Sequence, residues 1–203
     1  MDQPITLQAD DIVLEARINR QANDRAAIIA HPHPLYGGDM DNGVVMALVE
    51  AYARQGWTAL RFNFRGTGRS TGQFDDGAGE QDDLQSAIDF LRQAGYDRVD
   101  LAGYSFGAWV IACWSRAHTR HTHRILLVAP PVAFIDFGNR SPIPGLTRVF
   151  AGDLDDLAPP ARIRTALPFW SPAARMEVIQ GADHSFWGHF QALQQAVVKT
   201  IDG

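Results

Sequence analysis

Short apolar runs alternate with amphipathic stretches along most of the chain, and the repeat of the apolar positions switches between two and about 3.6 residues. Residues 4 to about 20 alternate around the acidic pair Asp10-Asp11, with Ile5 and Leu7 before it and Ile12, Leu14, Ala16 and Ile18 after it. That pattern predicts an antiparallel hairpin at a sheet edge. Ala26 to Ala30, Trp57 to Phe64, Val99 to Ala102, Arg124 to Ala129, Thr147 to Ala151 and Met176 to Ile179 are short apolar segments of the kind that form strands, most of them covered on both faces. Between them lie helical repeats. Asn42 to Gln55 carries Val44, Val45, Leu48, Ala51 and Tyr52 on one face and ends at Gly56; Gln81 to Gln93 carries Leu84, Ala87, Ile88 and Leu91 and ends at Gly95. A short helix is expected to start near Pro159-Pro160 and a last one to run from Trp187 to Ile201, with Phe190, Leu193 and Val197 inward. Strands alternating with helices predict an α/β fold, a mostly parallel twisted sheet with helices on both faces, in a single domain over residues 1–203.

One junction carries chemistry. Val99 to Ala102 reads as a strand, and Phe106 onward, with Ala108 and Ala112, as a helix of small residues. The turn between them, Gly103-Tyr104-Ser105-Phe106-Gly107, fits Gly-x-Ser-x-Gly, the nucleophile elbow that holds a serine in a strained backbone conformation. Small residues two places either side let the strand and helix approach, and the helix N-terminus offers N–H groups to developing negative charge. Such a serine needs a base, an acid and an oxyanion hole from other loops at the same sheet edge. His184, between the last strand and the last helix, is placed to be the base. Asp153, Asp155 and Asp156 follow the preceding strand and are the candidate acids.

Composition narrows the partners. A net charge of −5 gives no basic face for nucleic acid, no apolar run reaches membrane-spanning length, and the N-terminus carries no basic-then-apolar signal. A single cysteine, Cys113, excludes an internal disulfide framework and fits a reducing compartment, so the cytoplasm is the expected location.

The elbow, the strand order and the order Ser, Asp, His resemble the α/β-hydrolase superfamily. More narrowly, His31-Pro32-His33-Pro34-Leu35-Tyr36-Gly37-Gly38, Asn63-Phe64-Arg65-Gly66-Thr67-Gly68-Arg69-Ser70, the elbow and Gly181-Ala182-Asp183-His184 look like a group of small bacterial predicted hydrolases near the dienelactone-hydrolase-like branch. The resemblance covers nearly the whole chain. In the superfamily the acid sits in a Gly-x-x-Asp arrangement, here Gly152-Asp153-Leu154-Asp155, which selects Asp155 with Asp153 as runner-up. The first oxyanion donor it implies is the N–H of Phe106. The second belongs to the loop after the Ala26–Ala30 strand, where Pro32 and Pro34 have no N–H to give. His33-Pro34-Leu35-Tyr36-Gly37 looks like the superfamily's His-Gly-x-x-Gly loop with Pro in a Gly place, which selects Leu35 N–H, with His33 N–H as the fallback.

The expected activity is a serine esterase: Ser105 attacks an ester carbonyl, His184 acts as base and then acid, Asp155 holds the imidazole, and water releases the acyl-enzyme without a cofactor or metal. Tyr36, Phe186 and Trp187 are the expected walls of the acyl pocket. About a dozen residues, Val132 to Gly145, separate two strands where relatives insert a cap, so no large cap fits and small or exposed acyl esters are favoured as the small-molecule partner. Thioesterase, lactonase and peptidase chemistry use the same triad, and an idle hydrolase fold acting as a binding module is the rival from another class. Serine at position 105 disfavours a dienelactone hydrolase proper, which carries cysteine there. Metal sites at His31-x-His33 with Asp39 and Asp41, or at His118, His121 and His123, are weaker readings than a structural anchor and a solvated connection. Arg65-Gly66-Thr67-Gly68-Arg69 lacks the Gly-Lys-Ser/Thr ending of a phosphate loop, and Arg65 is read as tying loops together beneath the site.

Overall fold

In the computed structural model, which describes residues 2–118, 123–138 and 140–201, eight strands form one sheet. The strands are β1 (Asp2–Ala9), β2 (Ile12–Asn19), β3 (Arg25–Ala30), β4 (Thr58–Phe62), β5 (Arg98–Tyr104), β6 (Arg124–Val128), β7 (Leu146–Gly152) and β8 (Arg175–Ile179). Their order across the sheet is β1-β2-β4-β3-β5-β6-β7-β8. The β1–β2 hairpin turns at Asp10-Asp11 and joins the sheet antiparallel, through β2 on β4; every other pairing is parallel.

The helices are α1 (Gly43–Arg54), α2 (Ala78–Gln93), α3 (Phe106–Ala117), α4 (Pro160–Trp170) and α5 (Phe190–Ile201). The chain crosses from β3 through α1 to β4 in one direction and from β4 through α2 to β5 in the other. Right-handed crossovers therefore put α1 and α2 on opposite faces. Central strands are covered on both sides, which explains why β3 and β6 are nearly unbroken apolar runs whose Ile28 and Leu126 are fully buried. The reversal of winding between β3 and β5 opens a crevice beyond their C-terminal ends, the place where open α/β sheets hold ligands.

Most strand ends lie within a residue or two of the sequence reading, whereas two helix starts differ from it by about a turn. Helix α2 begins a turn earlier, at Ala78, because the Glu80 carboxylate caps it by accepting from Gly77 N (2.7 Å) and Asp75 N (3.0 Å). Helix α5 begins later, at Phe190, because residues 186–189 form a turn closed by His189 N donating to Phe186 O. Between β6 and β7, no helix or strand is inserted among the described residues.

Candidate active site

Ser105 sits at the β5–α3 junction with φ 54° and ψ −114°, a region that L-residues avoid. The neighbouring glycines make that turn possible. A Cβ on Gly103 would lie 2.5 Å from Gly107 O, and one on Gly107 would lie 2.5 Å from Ala30 O, so any side chain at either place pushes helix, strand or β3 apart. Ser105 N donates to Val128 O (2.9 Å), which fixes the elbow to the end of β6.

The loop after β8 brings His184 to this serine: Ser105 Oγ lies 2.9 Å from His184 Nε2. The other ring nitrogen, Nδ1, faces Asp155, 2.9 Å from Oδ2 and 3.0 Å from Oδ1. A carboxylate can only accept there, so Nδ1 carries the proton and Nε2 is left as the acceptor for the serine O–H. Asp155 is buried, and its Oδ1 also accepts from Leu157 N (2.9 Å) and Ala158 N (2.7 Å), so two backbone N–H groups fix the orientation of its carboxylate. Tyr104 OH donates to His184 O (2.8 Å) and steadies the histidine loop; burial pushes the phenol well above its usual range, so it stays a donor. A cavity of about 360 Å³ opens over Ser105 and His184, lined on one side by His33, Tyr36 and Asn42 and on the other by Pro131, Phe134, Ile135 and Leu157.

Comparison with known proteins bears on the fold and the family. Residues 33–199 match the Hydrolase_4 family, described as "Serine aminopeptidase, S33". The chain belongs to this α/β-hydrolase family. An uncharacterized protein of Rickettsia prowazekii, RP471, is 34% identical over 185 residues, spanning 85% of this chain and 77% of that one. An alpha-beta serine hydrolase homologue from Coxiella burnetii is similar throughout, with 32% identity, a TM-score of 0.90, and coverage of 98% of this chain and 96% of the other. XC6422 from Xanthomonas campestris, described as an a/b serine hydrolase without lid, is 31% identical with a TM-score of 0.86, covering 97% and 91%.

Not every residue expected at the site of this hydrolase arrives there. Leu35 N donates to the His33 ring (Nδ1, 3.3 Å), and the Leu35 side chain lines a separate cavity with Glu15, Asp39 and Phe74. The N–H groups of Tyr36, Gly37 and Gly38 are also occupied, by His33 O, Pro34 O and His33 O. Among the described residues of the loop, His33 N–H makes no hydrogen bond, and His33 lines the Ser105 cavity. The 3-10 turn of Pro34–Tyr36 is what consumes the Leu35 donor. Phe106 N–H stands at the first position of α3, where no helical carbonyl is available to it.

Of the three expected pocket walls, Tyr36 lines the cavity, whereas Phe186 is fully buried in the core and Trp187 is 75% exposed, its ring against Phe190. Phe186 takes φ 55°, and that left-handed turn directs its ring inward, away from the site. The walls missed by sequence reasoning, Phe134, Ile135 and Leu157, come from segments without periodic pattern. The one available signal was that Pro130-Pro131 and Gly152-Asp153 end strands at the same sheet edge as Ser105.

The remaining polar candidates are structural. His31 is buried, places Nδ1 2.6 Å from Pro32 O and accepts from Phe64 N at Nε2 (3.0 Å), so both nitrogens are used within the protein. Burial pulls its pKa down to about 4, and the ring is neutral. Asp41 pairs with Arg61 (3.0 Å). His118 stacks on Trp114 and His123 meets Asp100 (2.9 Å), while His121 lies outside the described residues. Arg65 grips the buried Asp83 of α2 at 2.8 Å, tying the loop after β4 to the helix that follows it. No helix among the described residues is long and apolar enough to cross a membrane.

Proposed function

We propose that this hydrolase is a carboxylesterase-like enzyme that cleaves small or exposed acyl esters through an acyl-enzyme on Ser105. The observation that carries the reading is the unbroken hydrogen-bond chain from Ser105 Oγ through His184 to the buried Asp155. His184 Nε2 takes the hydroxyl proton as Oγ adds to the carbonyl, then gives it to the leaving alkoxide; Asp155 stabilises the imidazolium that exists between the two transfers. The oxyanion is received by the N–H groups of Phe106 and His33. These donors have no helical or turn partner and stand on the cavity side; Phe106 is the first donor expected from the sequence, and His33, the fallback there, takes the place of Leu35. Water then attacks the acyl-enzyme by the same route in reverse. Cys113 being the sole cysteine supports a reducing, cytoplasmic setting.

The family's description names an aminopeptidase. Binding a free N-terminal ammonium calls for a carboxylate in the pocket, and no Asp or Glu is among the described residues lining the Ser105 cavity. Ester chemistry, which needs no such charge, fits the lining better.

A fluorophosphonate probe tests the reading. The folded protein is expected to take one adduct, on the peptide containing Ser105, and His184→Ala is expected to lose it. Folded protein that stays unmodified at Ser105 would return the chain to the class of idle hydrolase folds that act as binding modules.

A further inference from the structure

Ser105 is only 8% exposed, although no cap segment covers it among the described residues. The mouth above it is narrowed by two aromatic side chains from opposite sides. Tyr36 follows β3 and Phe134 follows β6, and β5, which leads into Ser105, runs between those strands. Across that gap the two rings meet edge to face, with centroids 6.1 Å apart and planes at 72°. Both line the cavity, yet both keep large outer surfaces in water, 74% for Tyr36 and 55% for Phe134. Below them the His33 ring lies 4.8 Å from Tyr36 and 4.8 Å from Phe106. A continuous aromatic wall thus leads from the mouth to the residue beside the nucleophile.

Such an aromatic roof treats the acyl groups beneath it unequally. A flexible alkyl chain loses rotamer freedom there, whereas a rigid ring loses little and gains an edge-to-face or offset contact with each aromatic neighbour. The leaving group has to face His184, whose ring packs on Tyr104 (5.6 Å), while Tyr36 packs on His33 on the oxyanion side. The acyl substituent is the one left to lie under the Tyr36–Phe134 pair.

We propose that Tyr36 and Phe134 form an aromatic clamp that selects acyl groups bearing a flat aryl ring, which makes aryl-substituted carboxylic esters the substrate class. The proposal rests on the esterase reading of Ser105. Its test is the ratio of kcat/KM for a phenylpropanoyl ester to that for a hexanoyl ester of the same alcohol, a ratio that does not depend on how much of a preparation is folded. Wild-type protein is expected to favour the aryl ester about tenfold, the scale of one well-made ring contact. Tyr36→Ala and Phe134→Leu are each expected to bring the ratio near one, while Tyr36→Phe, which keeps the ring, retains the preference. A wild-type ratio near one, or a preference that survives both ring-removing substitutions, overturns the clamp. Fluorophosphonate labelling of Ser105 in the same preparation separates the two failures. Labelled enzyme without aryl preference sinks the clamp alone, whereas enzyme that neither labels nor turns over either ester sinks the esterase reading beneath it.

Discussion

The carboxylates of Asp153 and Asp155, two residues apart, both reach the loop that carries His184, but only Asp155 meets its imidazole. Asp153 Oδ1 accepts instead from the backbone N–H of Gly181, at 2.5 Å. The tight turn after Gly152 points one carboxylate at the ring and the other at the loop's base.

Exchange of the two acids should therefore separate chemistry from scaffolding. Asp155→Asn keeps the shape but allows the wrong imidazole tautomer, and kcat is expected to fall by about a thousandfold or more. Asp153→Asn should cost about tenfold at most, through a looser histidine loop. Steady-state kinetics on an activated ester with both variants checks this, and an Asp153 effect larger than the Asp155 effect would reverse the assignment.

The proposed second oxyanion donor, His33 N–H, can be removed without disturbing the backbone. His33 has φ −57° and ψ 122°, angles that proline adopts freely and that suit a residue preceding Pro34. His33→Ala removes the imidazole and keeps the N–H; His33→Pro removes both. Relative to His33→Ala, His33→Pro is expected to lose about a hundredfold to a thousandfold in kcat. Equal activity of the two variants would show that the donor lies elsewhere.

Close approach at the elbow predicts a stability effect from a single methyl group. Gly107→Ala places a Cβ 2.5 Å from Ala30 O, backbone against backbone, with no flexible atom to yield. A loss of about 2 kcal/mol or more in urea unfolding is expected, together with slower phosphonylation of Ser105. Unchanged stability would mean that strand and helix part more easily than their packing implies.

His31 makes folding sensitive to acid. Its folded pKa of about 4 lies below the ordinary 6.5, so the unfolded chain binds a proton that the folded protein refuses. The associated stability is intact above pH 6.5 and is lost progressively as pH falls toward 4. Between pH 7 and pH 5 this one ring should remove about 2 kcal/mol. His31→Gln is expected to be less stable at pH 7, because the acceptor for Phe64 N is compromised, but to lack this part of the acid slope. Parallel urea titrations at the two pH values measure the difference; equal slopes in both proteins would rule the effect out.

Most of the architecture could be read from the sequence because a strand covered on both faces leaves a different trace from an amphipathic helix. Ile28-Ile29 and Leu126-Leu127 read as buried strand for that reason, and the hairpin read from its alternation. Ser105, Asp155 and His184 could be picked out because each stands in a glycine-marked turn at the end of a strand. The pocket walls could not be read the same way. Nearness in sequence to His184 suggested Phe186 and Trp187, but in a loop the backbone turn, not the neighbour, decides where a side chain points. Phe134 and Leu157 reach the cavity only because β6 and β7 end at the same sheet edge, a fact of topology that no local pattern carries. The engagement of the Leu35 N–H was hidden for a related reason: the His33 ring folds back onto it, and that contact exists only once the 3-10 turn has formed.

Ser105 and His184 stand 79 positions apart in sequence, and that distance bears on how the chain folds. The elbow is built from β5 and α3, which are adjacent in sequence, whereas its proton acceptor waits until β7, α4 and β8 have added themselves to the far side of the sheet. Closing so long a loop is slow compared with forming neighbouring contacts. A chain in which those strands had not docked would hold its serine without a base, so the appearance of a reactive hydroxyl during refolding would time the docking of the last two strands.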